Sequence, residues 1–299
     1  MKDFQPVLHS AVTIMTPLLF AGVGGLFCEL TGMLNIALEG LLLAGAFFAV
    51  AAFYYTGSFA AALAAAVFAS LILALMFAFS ALRLRSNVFI AGLAVNLFAG
   101  GLTVVLSHNL FGTRGVVVLP DIPPPAPMRI PLITHIPVIG ELLSGHSVYV
   151  YVSWILLVIA WLVLFKTPFG LRLRACDKHA EALDSLGLRS DAYRLAAFLI
   201  SGFCCGLGGS FLSLNLGAFV PNMSAGKGWI ALVVIFLGGR KPRGLFAAAF
   251  VFGLAEAFSN YAQGRLNVPA DFILAIPYLF TLFAMIAVSI YAKRKHGVS

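Results

Sequence analysis

Glu39 and Glu256 each fall within or beside a long apolar run. A carboxylate facing hydrocarbon at mid-membrane depth costs on the order of 2.5–3.5 kcal/mol. Both must therefore face a packed interior, a cavity or an interface. An acid so placed can carry a proton, gate a path, bind a polar solute or hold two backbones together. Asn35, Asn96, Asn215 and Asn260 add neutral amides within or next to such runs, where amides commonly hydrogen-bond between helices. Asn35, Glu39, Asn96, Asn215 and Glu256 are the candidates for lining a translocation pathway.

Other chemistries lack their residues. There is no His-Glu-x-x-His, no pair of catalytic aspartates and no nucleophile elbow. The one Gly-Lys pair, Gly226-Lys227, is followed by Gly228 and has Pro221 where a phosphate-binding loop needs its first glycine. The chain itself is therefore expected to hydrolyse no ATP, to carry out no catalysis and to bind no cofactor. Cys28, Cys176, Cys204 and Cys205 show no metal-ligand spacing and read as packing residues. Basic residues sit at the ends of apolar runs rather than in an aromatic-interleaved patch, which argues against nucleic acid as a partner.

The elements that must position these side chains follow from composition. The 299 residues are 61% hydrophobic and 10% charged, and mean hydropathy is +1.01. Soluble domains carry about 25% charged residues. This chain cannot build a polar surface, so the bilayer is its solvent. Apolar runs of spanning length lie at about 8–30, 36–55, 59–82, 88–107, 148–165, 195–217, 245–262 and 272–292, with a short one at 229–239. They lack period-two alternation, so the expected fold is an all-α polytopic bundle of about 8–10 transmembrane helices. A single membrane domain, 1–299, is expected, with no folded domain outside the membrane. No cleavable signal peptide is expected.

Two connections stand out. The stretch 108–147 contains seven prolines between Pro120 and Pro137 and cannot be one helix. It reads as an extended external loop, with a short amphipathic element around 139–143. The stretch 166–194 is charged and has a helical core. One alternating topology places fourteen basic residues, including Arg83, Arg85, Lys166, Arg174, Arg194, Arg240 and Lys293, on one side of the membrane. That side is expected to be cytoplasmic, together with the C-terminus. Counting back over nine spans puts the N-terminus outside. An interrupted or re-entrant segment at 29–39 would put it inside.

Two segments break the apolar pattern: Thr31 to Gly40, and Gly226-Lys227-Gly228 leading through a short run to Gly238-Gly239. They lie in opposite halves and share Ile-Ala-Leu. Such pairs point to inverted repeats around a midplane pathway. Gly202 and Gly206 form a small-xxx-small face for close helix packing. From these residues alone, a secondary transporter with Glu39 or Glu256 carrying protons along an ion gradient remains open.

Asp177 to Leu186 reads as a short helix, with Asp177 as N-cap, Glu181 near the first turn and Gly187 at C′. Ala180, Leu183 and Leu186 would share one apolar face. Glu181-Ala182-Leu183, three residues, then Gly187 resembles the EAA-x3-G coupling loop of ATP-binding-cassette (ABC) transporter permeases. Four further stretches are similar to the branched-chain amino acid, simple sugar and nucleoside group of these permeases, and follow in the same order: Thr31 to Gly40, Thr167 to Ala175 continuing at Leu195 to Leu214, Gly228 to Gly239, and Phe252 to Ala257. The wording is closest to the sugar and nucleoside branch. Ala37 stands where glycine is common, and Leu183 replaces the second alanine of the loop motif.

The resemblance runs from about residue 10 to 292. It implies two inverted sets of about five helices, and an importer for a small polar solute, a nucleoside or simple sugar, across the inner membrane. It implies as partners a second permease chain, identical or different, an ABC ATPase subunit binding ATP and Mg, and an extracytoplasmic solute-binding protein. Arg174, Asp177, Glu181, Ala182, Leu183 and Gly187 would be the positions that couple to the ATPase.

Overall fold

A computed structural model describes residues 5–119, 125–128 and 142–263, and the isolated positions 279, 282 and 286. The expected span at 272–292, the C-terminal tail and most of the element at 139–143 lie outside the described residues. Among those described, seven helices are long and apolar enough to cross a membrane. They are α1 (Gln5–Glu29), α2 (Leu38–Thr56), α3 (Phe59–Ala78, continued by a π turn Phe79–Arg83), α4 (Val88–Phe111), α5 (Val148–Lys166), α8 (Ser190–Leu216) and α10 (Pro242–Gln263). Three shorter helices are α6 (Pro168–Lys178), α7 (Ala180–Ser185) and α9 (Lys227–Leu237). Four two-residue strands pair as β1 (Val117–Val118) with β4 (Ala218–Phe219) and β2 (Pro127–Met128) with β3 (His146–Ser147), both antiparallel.

The spanning helices are apolar on all faces because one side meets the core and the other meets lipid. α1 and α2 are the most enclosed, with α8 next, while α4 and α5 keep most of their surface outward. α8 packs on α1, α2 and α3, and α1 also packs on α10 and α9. Small residues permit these approaches. A methyl group on Gly202 would lie 2.7 Å from Cβ of Ala74, and one on Gly206 would lie 2.6 Å from Cα of Val67, so the glycine face of α8 lies directly on α3. A methyl on Gly24 would sit 2.7 Å from Cα of Ser201, which fixes α1 against α8.

The bundle has two distinguishable ends. At one, Glu29 pairs with Arg240 at 2.7 Å, and the turns holding Arg83, Arg85, Lys166 and Arg189 gather. At the other, His9 stacks on His146 with centroids 4.1 Å apart, and β1 joins β4. α1 therefore starts at the end opposite the basic one and finishes at the basic end. This agrees with the count from the charges, not with a re-entrant segment that returns the N-terminus to the basic side. α4 continues to Phe111, so the proline-rich connection begins at Gly112, capped in the left-handed region with φ +71°.

Candidate functional site

The first interruption, 30–37, follows α1 at the basic end. Non-helical backbone at membrane depth must have its polar groups satisfied by protein. Two asparagines do this. Asn35 Nδ2 donates to Ser201 Oγ at 2.7 Å, and its Oδ1 accepts the Ala37 N–H at 3.0 Å. Asn96, on α4, donates from Nδ2 to the Ile36 carbonyl at 2.9 Å and accepts the Gly40 N–H on Oδ1 at 2.8 Å. Asn35 is fully buried. The chain turns into this segment at Gly32, with φ +78°.

The second interruption, 217–226, follows α8 at the opposite end. It turns through left-handed Asn222, Ala225 and Gly226, with φ +58°, +44° and +81°. α9 then runs to the basic end. The two interruptions thus enter the bundle from opposite ends, as an inverted pair requires, and they meet. Glu39, in the first turn of α2, accepts the Gly226 N–H on Oε1 at 2.8 Å and the Gly228 N–H on Oε2 at 2.7 Å. A carboxylate is favoured there because the first N–H groups of a helix lack partners and carry partial positive charge. Gly228 lies against the backbone of Leu38 and Glu39 so closely that a Cβ would overlap it. Lys227, between the two donors, turns the other way and pairs with Glu256 of α10 at 2.7 Å.

The other end of α9 is held as well. Arg240, in the left-handed region at φ +57°, bonds Glu29. Glu29 and Glu39, which flank the first interruption, therefore fix the two ends of one short helix.

Of the five pathway candidates, Asn35, Glu39, Asn96 and Glu256 belong to this junction. Asn215 does not: it is exposed in the last turn of α8, near the opposite end. Sequence reasoning gave no role to Lys227, Ser201 or the Glu29–Arg240 pair. The lysine inside a Gly-Lys-Gly string between apolar runs was the available signal, since an unpaired ammonium there is costly.

The charged connection 166–194 lies at the basic end. Thr167 caps α6, its hydroxyl accepting the Gly170 N–H at 3.2 Å, with Pro168 at the first helical position. The sequence expectation of one helix capped by Asp177 is corrected. α6 runs on to Lys178, so Asp177 lies in its last turn, and the break comes at His179, whose N–H still bonds the Ala175 carbonyl. α7 ends as expected. Leu188 N–H bonds the Leu183 carbonyl and Gly187 N–H the Asp184 carbonyl, with Gly187 at φ +77°, a Schellman closure that only glycine adopts without strain.

The expected apolar face of α7 divides. Leu183 is 7% exposed and packs inward, whereas Leu186 is 77% exposed. Glu181 and Ala182 face outward too. Arg174 is turned back onto Phe165, 4.8 Å from the ring centroid, and steadies the corner between α5 and α6. Asp184 fastens α7 to α8, accepting the Ser190 N–H at 2.8 Å and its hydroxyl at 3.0 Å. The Ser190 backbone donor, then its hydroxyl, holds this carboxyl below the usual aspartate range. Arg194 donates to the Cys176 carbonyl at 3.1 Å, and burial pushes the Cys176 thiol up. Finally, Asp177 rests on the first interruption: a methyl on Gly32 would lie 2.7 Å from its Oδ1 and 3.2 Å from its Cα.

A helical bundle whose two interrupted segments meet inside it, with a folded charged loop at its basic end, has the architecture of a membrane permease. Residues 7–289 match the family described as branched-chain amino acid transport system, permease component, and the chain belongs to that family. It is 32% identical over 292 residues to the guanosine ABC transporter permease protein NupQ of Bacillus subtilis, covering 93% of this chain and 90% of that one. It is 31% identical over 295 residues to the nucleoside ABC transporter permease protein NupC of Lactococcus lactis, covering 95% and 92%. Among solved structures, an inward-facing metal-chelate-type ABC transporter shares the fold, with a TM-score of 0.55 and 14% identity over 94% of this chain and 85% of that one. The chain is the membrane-spanning permease subunit of an ABC importer, not a catalytic enzyme; ATP hydrolysis belongs to a separate subunit. This decides against the ion-gradient alternative.

Proposed function

We propose that this permease imports nucleosides, with simple sugars as the alternative solute, and that 166–194 is its coupling loop to the ATPase. The nucleoside reading is supported by two relatives, a guanosine and a nucleoside permease, that align over nearly their whole length. The coupling reading rests on one observation: the last turn of α6 sits directly on the Gly32 turn, beside the Glu29–Arg240 pair. A shift of α6 and α7 by a docked cassette would reach the first interruption without an intermediary. Asp177 would act by that contact, Glu181, Ala182 and Leu186 by facing the ATPase, Leu183 and Gly187 by holding the shape of α7, and Arg174 by fixing the corner.

The excess of basic residues supports a cytosolic location for this end. The C-terminus and the ATPase, with its ATP and Mg, would then share that side, and the solute-binding protein would dock at the end bearing 112–147. A second permease chain would complete the pathway. Asn35, Glu39, Asn96 and Glu256 would form the gate at which the two halves separate, a rigid-body rearrangement of packed elements.

Proteoliposomes holding the permease with its ATPase and binding protein test this. ATP-dependent uptake of labelled guanosine, competed by other nucleosides and not by ribose, is the expected result. Ribose uptake without guanosine uptake would overturn the solute. For the loop, a cysteine replacing Ser185 in a chain otherwise stripped of cysteine should resist an impermeant reagent applied outside intact cells. Rapid labelling from outside would overturn the orientation and the coupling role together.

A further inference from the structure

We propose that the groove between the end of α3 and the start of α8 is a binding site for an anionic phospholipid. Its volume is about 570 Å³, within the usual range for ligand sites. Its rim carries Arg83, Arg85 and Arg189, all exposed, and its walls include Leu75, Phe79 and Leu195. Among the described residues none of the three arginines has a carboxylate partner. Asp191, the one acid lining the groove, pairs with Arg194 at 3.5 Å. The rim therefore presents a surplus of guanidinium groups, which bind phosphate oxygens bidentately.

The backbone holds that rim in place. The end of α3 widens into a π turn, in which Leu84 N–H bonds the Phe79 carbonyl at 3.1 Å. Such turns are frequent at functional sites. The chain then reverses through Arg85 at φ +52°, and Ser80 Oγ lies 3.1 Å from Ser86 Oγ. A non-glycine residue in this region carries a conformational cost, and here it displays a charge. Below the rim, Phe68, Ile72, Leu75 and Phe79 are all exposed. Their spacing of 4, 3 and 4 puts them on one face of α3, a stripe about 16 Å long at 1.5 Å per residue. Headgroup phosphate at the arginines and an acyl chain along the stripe satisfy both halves of the groove. Anionic headgroups are the ligand that the charge selects.

The test uses the assembled permease–ATPase complex in nanodiscs of palmitoyl-oleoyl phosphatidylglycerol (POPG) or the matching phosphatidylcholine (POPC), with native mass spectrometry of lipid retained after release into detergent. The wild-type complex should retain POPG over POPC by about tenfold or more, and R83Q/R85Q/R189Q should abolish that preference. Equal retention of the two lipids, or an unchanged preference in the triple variant, would overturn the site. Should the triple variant fail to assemble, R85Q alone should reduce the preference by several-fold, and no reduction would overturn it. Two further results would also overturn it: inorganic phosphate displacing POPG completely, which marks a free-anion site, and loss of the second permease copy or the ATPase from R85Q, which marks a protein interface.

Discussion

The junction of the two interruptions and the loop at the basic end were both visible in the sequence as short motifs, yet they are built in opposite ways. The junction is held by bonds between residues far apart in the chain: Glu39 to Gly226 and Gly228, Asn35 to Ser201, Asn96 to Ile36 and Gly40. The Asn35–Ser201 bond is buried and the others are partly buried. The loop is held by short-range bonds in contact with solvent, such as Leu188 to Leu183 and Asp184 to Ser190. A loop closed on itself moves as one piece. A junction closed between distant segments must break bonds to move. On the proposed coupling role, the loop would be the handle and the junction the joint.

Substitutions should separate the two. The largest effect is expected from Gly228→Val in the junction, because the side chain would occupy the space of the Glu39 backbone. Overpacking costs typically 1–3 kcal/mol and can cost more, and uptake should vanish together with a fall in thermal stability of the purified complex. Wild-type uptake would remove the junction from the mechanism. Next, Glu39→Gln leaves one acceptor for two donors and turns an N–H group toward another. With charge-assisted bonds at about 1.5–3 kcal/mol each, both stability and uptake should drop, and Glu39→Asp should not restore them because the shorter arm misses α9. Asn96→Ala orphans the Ile36 carbonyl and the Gly40 N–H, at about 1–3 kcal/mol for each buried group, read by thermal unfolding in the same detergent.

The loop should behave differently. Leu186→Glu alters a side chain that touches little of its own chain, so thermal stability should stay within about 0.5 kcal/mol. ATPase copurification should nonetheless fall severalfold. A stability loss as large as that of Asn96→Ala would erase the contrast. The smallest effect is the pH dependence of the Asp184 tie. Its folded pKa is lowered, so its contribution is complete above the ordinary aspartate range and fades as pH falls through the lowered folded value. Hydrogen exchange at Ser190 should rise over that acidic interval in wild type and be flat in Asp184→Asn.

Much of the fold was legible because bilayer thickness sets a length that apolar runs must meet. The limits of α2, α3, α5 and α10 fall within a few residues of those read from hydropathy. Gly187 was legible because its backbone conformation demands its residue type. Asp177 misled because aspartate suits both an N-cap and the polar surface of a final turn, and which one it serves depends on how far α6 continues. Leu183 and Leu186 could not be told apart by spacing, since the bundle covers only one of them. The partners of Glu39 and Glu256 were not legible at all. Those pairs join residues 187 and 29 positions apart, and only the assembled bundle brings them together.

Glu29 and Glu39 also set the mechanics of α9. A rod pinned at both ends to a single short stretch of chain cannot tilt unless that stretch lengthens or shortens. The segment between the two acids contains the Gly32 turn on which Asp177 rests, and the upper pin lies next to the Lys227–Glu256 pair. Pressure from the nucleotide side and occupancy near the solute side would then act on one shared coordinate, the pitch of an eleven-residue rod.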